Sequence, residues 1–235
     1  MSARIRVKPE YKEFIDSLDI GHGKYDIRTV FQDIILMATI AIKNRYDYSQ
    51  EDEDVYLKIM NKYTKQEQEK IIESLAKLAM LYINQKEISD ILGEIYSNIG
   101  LINKTKAQYF TPFHISRAIG RMVNEPGIKE LKYKDFITIY DPCCGSGSMT
   151  LGYVEETRNK IQNFSEKVVF FARDIDLNCV CMSFIQFTMN GIPAVIILGN
   201  SLLNEKRKIL YTPEFINKKW FEKLNSMGEE KCIKK

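Results

Sequence analysis

The sequence predicts an α/β fold, in which a helical region at the amino terminus precedes a parallel β-sheet. Apolar residues recur at helical spacing through the first hundred residues. Between residues 136 and 198, three short runs of β-branched and aromatic residues alternate with helical stretches. This strand–helix order and spacing implies right-handed parallel crossovers. We therefore expect three parts, at residues 1–105, 106–203 and 204–235, of which the middle part carries the sheet.

Four helices are predicted in the first part. Apolar residues within Ile27–Ile42 follow the helical period, and a helix that starts with acidic residues follows at Glu51–Tyr63. The third helix begins at Thr64 and Glu67, which have the spacing of a capping box, in which each side chain satisfies a free backbone donor at a helix start. The fourth predicted helix is Ser89–Ile99.

The second part supplies the sheet. Thr111 and Pro112 suit the N-cap and first position of a helix that reaches Val123, and Pro126-Gly127 is expected to end it. The predicted strands are Phe136–Tyr140, Val168–Ala172 and Ala194–Leu198, and the helices between them are about Ser148–Ile161 and Asn178–Asn190. Whether Lys208–Tyr211 adds a fourth strand stays open.

Composition excludes several classes of protein. With 45% hydrophobic residues among 235, the chain can bury a core. Its longest apolar run is far shorter than the roughly 20 residues of a membrane span, and the amino terminus has no stretch of signal-peptide type. We therefore expect a cytoplasmic protein that does not engage a membrane. The net charge of +3 neither demands nor excludes nucleic acid. The five cysteines show no Cys-x-x-Cys spacing and there are only two histidines, so no metal site is expected.

Chemistry is concentrated where the predicted strands end. The turn Asp141-Pro142-Cys143-Cys144-Gly145-Ser146-Gly147 follows the first strand, and its glycines let the backbone approach a ligand closely. A tight turn that needs glycine is the ordinary alternative. The turn is not a phosphate loop, because no Gly-Lys-Ser/Thr ends it, and the third glycine of the dinucleotide fingerprint is missing.

Polar residues also follow the second and third strands. A carboxylate such as Asp174 can accept hydrogen bonds from both hydroxyls of a ribose, and Asp176 fits a helix N-cap. Asn200 can accept from an adenine amino group and donate to a ring nitrogen, with an ordinary turn as the alternative.

Taken together, these segments resemble the N6-adenine DNA methyltransferase family, and in particular the modification subunit of type I restriction-modification systems. Asp141–Gly147 matches the family's S-adenosylmethionine (SAM) loop, and Gln108–Pro112 matches its upstream Gln-Phe-Phe-Thr-Pro segment. Leu92–Tyr96 and Gly199–Ser201 also fit, and the resemblance covers about residues 88–203. It implies a SAM-dependent methyltransferase sheet of the Rossmann-like kind, which has seven strands when complete. The residues after the third predicted strand leave room for only one or two elements, so we expect a truncated sheet. The residues that it implies for cofactor binding are Gln108, Tyr109, Phe110, Thr111, Pro112, Asp141, Cys143, Cys144, Gly145, Ser146, Gly147, Asp174, Ile175 and Asn200.

The sequence departs from the family pattern at three places. Asp174 stands where the family usually has Glu, and Asn200 where it often has Asp; both are compatible with binding. The Asn/Asp-Pro-Pro-Phe/Tyr motif, which positions the target adenine in the family, does not occur, because the six prolines are all isolated. The weak candidates for a decayed version are Thr212, Pro213 and Phe215, for which a helix start is the more ordinary interpretation.

Two classes of function follow from the resemblance. The first is an enzyme that transfers a methyl group from SAM to adenine N6 in DNA, with a partner chain supplying the missing parts. The second is a catalytically inactive module that binds SAM or contacts other components. DNA is a possible partner, and another restriction-modification subunit or a second copy of the chain is expected, because a short parallel sheet leaves apolar surface to be covered.

Overall fold

The computed structural model describes residues 8–100 and 110–226 and divides them into two compact units. The helical unit comprises the described residues of Met1–Lys86 and Ile91–Phe110. The sheet unit comprises Glu87–Asp90 and the described residues from Thr111 onward. The predicted boundary at residue 105 lies outside the described residues, and the three-part division stays a prediction.

The helical unit contains five helices within the described residues. They are α1 (Pro9–Ser17), α2 (Ile27–Asn44), α3 (Gln50–Met60), α4 (Lys65–Ile83) and α5 (Ile91–Asn98). The predicted capping box at Thr64 and Glu67 is confirmed at the start of α4. The first helix, α1, was not predicted from the sequence. Its buried Phe14 packs edge to face on Phe31 of α2.

The sheet unit confirms the α/β class, with four strands in the order β1-β2-β3-β4. The elements in chain order are α6 (Phe113–Glu130), β1 (Ile137–Asp141), α7 (Ser148–Thr157), α8 (Phe164–Lys167), β2 (Val168–Asp174), α9 (Leu177–Met189), β3 (Ala194–Leu198), β4 (Lys208–Tyr211), α10 (Pro213–Asn217) and α11 (Trp220–Ser226). A 3₁₀ turn at Arg158–Lys160 replaces the predicted last turn of α7. β1, β2 and β3 are parallel, so their carboxyl ends share one edge of the sheet, together with the predicted ligand-binding residues that end or follow these strands.

The fourth strand runs antiparallel to β3, with Val195 opposite Tyr211 and Leu198 opposite Lys208. A parallel neighbour would need a crossover of about a dozen residues or more, and residues 199–207 are too few for one. The chain that follows β4 therefore returns to the edge at which β1, β2 and β3 begin. There Phe215 and Trp220 are fully buried in a core with Phe136.

Two predictions about α6 are wrong. Pro112, not Thr111, occupies the N-cap position, and no side chain caps the helix. Pro126 does not end α6, which continues to Glu130. Packing explains this, because α6 is held closely against α7: a Cβ on Gly120 would lie 2.8 Å from the carbonyl oxygen of Gly152. Such contact outweighs the loss of one helical hydrogen bond.

Candidate functional site

The glycine loop between β1 and α7 has a backbone that only glycine adopts easily. Gly145 has a φ of +55° and Gly147 a φ of +95°. A Cβ on Gly147 would lie 2.5 Å from the ring of Phe187. The Cys144 N–H donates to the Arg173 carbonyl at 2.9 Å and the Gly147 N–H to the Cys144 carbonyl at 2.8 Å, so the turn is tied both to β2 and to itself.

Asp174 lies at the end of β2 and joins the loop. Its Oδ2 accepts from the Gly145 N–H at 2.9 Å, and its Oδ1 accepts from the Asp176 N–H at 2.9 Å. A carboxylate offers about four acceptor positions, so capacity for further donors remains. Burial raises the pKa of Asp174 above its ordinary value of 3.8. As predicted, Asp176 caps α9 by accepting from the Asn178 N–H.

Asp141, at the end of β1, is the unusual group of this site. Its carboxylate accepts from the Cys143 N–H at 3.3 Å through Oδ1, whereas its Oδ2 is buried and has no hydrogen-bond partner. Burial, together with the charge of Asp174, raises the pKa of Asp141 above its ordinary value. A buried acceptor without a donor is costly, and a cationic donor at this point would remove the cost.

The two adjacent cysteines differ. The Cys143 side chain is exposed and Cys144 is buried. Partial desolvation and the charges of Asp141 and Asp174 raise the pKa of the Cys143 thiol, and burial raises that of Cys144, so both thiols should be protonated at neutral pH. Nucleophilic chemistry needs a thiolate, so neither cysteine has the environment of a catalytic nucleophile.

After β3, Asn200 makes the turn that was its ordinary interpretation. Its Oδ1 accepts from the backbone N–H groups of Leu202 at 2.9 Å and Leu203 at 3.3 Å. Ser201 Oγ donates to the Pro142 carbonyl and thereby joins this turn to the glycine loop. Ile175, which follows Asp174, is 60% exposed and presents an apolar side chain at the same edge.

The upstream segment is divided among the described parts of the chain. Gln108 and Tyr109 lie outside the described residues. Phe110 packs edge to face on Tyr96 in the helical unit. Thr111 belongs to the sheet unit, where its carbonyl accepts from Ser148 Oγ at 3.2 Å, beside the last glycine of the loop.

Thr212, Pro213 and Phe215 are not brought together with the glycine loop. They follow β4 and therefore lie at the opposite edge of the sheet. Thr212 is fully buried and caps α10, where its Oγ1 accepts from the Phe215 N–H and donates to the Ile192 carbonyl. These are the contacts of a helix start, as the ordinary interpretation holds.

Sequence reasoning missed one buried group near the loop. Asp90 contacts both Ser146 of the loop and Gln186 of α9. These contacts span 56 and 96 positions of sequence, so no local pattern indicates them.

In the described residues there is no cluster of three or more potential metal ligands. None of the described helices combines the length and apolar character that a membrane crossing requires.

Comparison with known proteins decides the family. The sequence profile of the N-6 DNA methylase family matches residues 87–230, well over half of the chain. The chain belongs to the N-6 DNA methylase family. The matched region spans the described sheet unit, including Asp90, the glycine loop and the residues that follow β2 and β3.

Individual relatives of this N-6 DNA methylase chain are longer than it is. The methylase subunit of the type I restriction enzyme MjaVIII of Methanocaldococcus jannaschii is 34% identical over 122 residues, which cover 50% of this chain and 19% of that protein. A type I restriction-modification methyltransferase subunit from Streptococcus thermophilus is 16% identical with a TM-score of 0.43, covering 88% of this chain and 42% of that one. A protein described as a class I SAM-dependent methyltransferase from Listeria monocytogenes is 17% identical with a TM-score of 0.37, covering 83% and 55%.

Proposed function

We propose that the sheet unit binds SAM and forms the cofactor-binding part of an adenine-N6 DNA methyltransferase of the type I modification-subunit kind. The observation that carries the proposal is the buried Oδ2 of Asp141, which lies without a partner beside a glycine loop. SAM carries an ammonium group, and an ammonium N–H can donate a hydrogen bond to such an oxygen. Membership of the N-6 DNA methylase family supports the same ligand.

The residues at the carboxyl edge of the sheet fit the other parts of SAM. Asp174 retains acceptor positions for the two ribose hydroxyls, although Gly145 and Asp176 already donate to it. Ile175 offers an apolar surface to the adenine ring. Because the Oδ1 of Asn200 is engaged in its turn, its side-chain NH₂ is the group left to meet the ring. Cys143, Cys144, Ser146 and Gly147 would shape the backbone around the cofactor, and Phe110, Thr111 and Pro112 complete the described part of the upstream segment.

The chemistry of the bound cofactor is that of a methyl group attached to a sulfonium. By holding the ammonium, ribose and adenine parts of the cofactor, this chain's residues would fix the position of that methyl group. The Asn/Asp-Pro-Pro-Phe/Tyr motif, which positions the target adenine of DNA in the family, is not among the residues at this edge of the described sheet. We therefore propose that a partner chain supplies the groups that position the target adenine. DNA and a second subunit are the proposed partners.

A second candidate is a SAM-binding module without turnover of its own. One observation favours it: Thr212 and Phe215, the weak candidates for an adenine site, are fully buried at the opposite edge of the sheet. The two candidates share the cofactor site and differ only in whether methyl transfer occurs.

Calorimetric titration with SAM tests the cofactor. We expect the wild-type chain to bind, and Asp174→Ala to weaken binding by one to two decades, because it removes charge-assisted contacts of about 1.5–3 kcal/mol. Asp26→Ala is the matched control, since Asp26 caps α2 in the helical unit and should leave affinity unchanged. No heat from wild-type protein at high micromolar SAM would reject the proposal.

A labelled-methyl assay on DNA separates the two candidates. The chain alone should show no incorporation above background, because a missing positioning group costs two or more decades in rate. Incorporation that begins only when a partner subunit is added supports the enzyme. Absence of incorporation with the partner supports the module, and robust incorporation by the chain alone would overturn the need for a partner.

Light scattering addresses self-association, where a mass near twice the 27.4 kDa of the chain identifies a second copy as the partner.

A further inference from the structure

Asp90 is a buried carboxylate outside the glycine loop. It is 2% exposed and precedes α5. Its Oδ2 accepts from the Ser146 hydroxyl at 2.6 Å, and its Oδ1 accepts from the Gln186 side-chain amide at 2.8 Å. The two oxygens thus hold the middle of the loop and the helix that follows β2.

Gln186 closes this arrangement. The same amide nitrogen that donates to Asp90 also donates to the Ser146 carbonyl at 2.7 Å. Ser146 and Gln186 are both fully buried. The hydroxyl and the carbonyl of Ser146 are therefore both fixed, and Ser146 lies between the two loop glycines with positive φ. Three buried hydrogen bonds define the loop where its backbone is least restricted by side chains.

The segment that carries Asp90 is itself held in the sheet unit. The Ile88 N–H donates to Glu155 Oε2 of α7 at 3.1 Å, and Glu87 pairs with Arg117 of α6 at 3.6 Å. Asp90 is thus presented to the loop from a segment attached to two helices of the same unit. A fixed acceptor can position a loop, whereas a mobile one would follow it.

The two oxygens of Asp90 match what its neighbours require. Ser146 and Gln186 each donate to a different oxygen of the carboxylate. An asparagine has a single acceptor oxygen, so it cannot accept both bonds in this arrangement.

We propose that Asp90 is a positioning residue that sets the conformation of the glycine loop for cofactor binding. It acts through Ser146 and Gln186 rather than by touching the cofactor. The ligand in this inference rests on the proposed function, whereas the effect on the loop does not. Loss of Asp90 should therefore loosen the loop in the free protein and weaken SAM binding as a consequence.

The test compares Asp90→Asn with wild type by hydrogen exchange of the free protein, followed by calorimetry with SAM. We expect the amides of residues 144–147 to exchange at least about tenfold faster, with β2 and β3 unchanged, and affinity for SAM to fall about tenfold. Asp33→Asn is the matched control, because Asp33 is another buried aspartate, bonded to Tyr63 in the helical unit. It should change neither measurement.

A second variant covers the case in which Asp90→Asn does not fold. Gln186→Met keeps the volume and leaves Asp90 and the loop sequence intact, and it should give the same pattern with a smaller acceleration. Loop exchange at the wild-type rate in the folded variants would overturn the inference, as would an acceleration spread evenly over the whole sheet unit. Faster loop exchange in a protein whose wild type binds no SAM would retain the positioning role and reject the proposed function.

Discussion

The helical and sheet units treat their buried polar groups differently. In the helical unit, Lys43 and Asp52 form an ion pair at 3.0 Å with both side chains about nine-tenths buried. Asp33 accepts from Lys62 at 3.0 Å and from the Tyr63 hydroxyl at 2.8 Å. The described sheet unit instead contains buried atoms without partners, including those of two charged side chains, Asp141 Oδ2 and Arg173 Nε.

We propose that this difference separates polar groups that only hold the fold together from a group, Asp141, that would meet a ligand. A buried charge is tolerated when it is paired, and an unpaired one lowers stability. Among its described residues, the helical unit has one buried side-chain polar atom without a hydrogen-bond partner, Asn98 Oδ1, and this atom is uncharged. The unsatisfied charged atoms instead belong to residues at the carboxyl ends of β1 and β2, the edge at which we propose the cofactor site.

The largest effect is expected in the helical unit. Lys43→Met removes the ammonium beside a buried Asp52, and should lower the free energy of unfolding by about 4 kcal/mol. Replacing both residues, as Lys43→Met with Asp52→Leu, should recover most of this loss. Urea unfolding measures both, and SAM affinity of the folded proteins should not change. A loss below about 1 kcal/mol for the single variant would contradict the comparison.

Glycines with positive φ give the next test. Gly147→Ala combines an unfavourable backbone with a Cβ 2.5 Å from Phe187, and should cost about 3 kcal/mol. Gly23 in the helical unit has a φ of +86°, and a Cβ added there would meet nothing within 4 Å, so Gly23→Ala should cost only about 1 kcal/mol. Equal losses in urea unfolding would show that Phe187 does not confine the loop.

Asp141→Asn tests the unpartnered oxygen directly. The variant removes a buried charge and can still accept from the Cys143 N–H, so the free protein should be as stable as wild type, or more stable by about 1 kcal/mol. Added SAM should raise the melting temperature of wild type and not of the variant. Clear destabilisation of the free variant would mean that Asp141 has a structural role instead.

Acid pH should act in opposite directions on the two units. The raised pKa values of Asp141 and Asp174 mean that the folded sheet unit binds more protons than the unfolded chain just above pH 3.8, so its stability falls as pH rises through this window. Lys24 and the Thr64 backbone lower the pKa of Glu67 to about 2, so the contribution of Glu67 to stability is present above pH 4.5 and lost as pH falls toward 2.

SAM affinity should fall on acidification, because protonated Asp141 and Asp174 no longer attract cationic or hydroxyl donors. Urea unfolding and SAM titrations of wild type across this range check both expectations. Asp141→Asn should reduce the pH dependence of the stability of the free protein.

Local chemistry explains what the sequence could predict. The capping box at Thr64 and the strand Ala194–Leu198 were both predicted with their observed positions, because adjacent residues determine them. The α/β class followed from strands and helices in alternation. The positions of the acidic residues at strand ends followed from the rule that parallel strands share an edge.

Long-range packing explains what the sequence could not predict. Pro126 is tolerated in α6 because Gly120 and Gly152 allow two helices to meet closely. The role of Asp90 depends on partners far away in the chain, and only the folded structure brings them together. Whether the predicted cofactor residues bind SAM stays a prediction, which the titrations above address.

The segment Glu87–Asp90 also determines how this protein can be divided. It belongs to the sheet unit, although the residues on both sides of it, up to Lys86 and from Ile91, belong to the helical unit. A fragment beginning at residue 106, where the sequence suggested a boundary, would contain every described strand and the whole glycine loop but not Asp90. Single-cut dissection, and any recombination of modules at that point, would therefore separate the loop from a part of its own support.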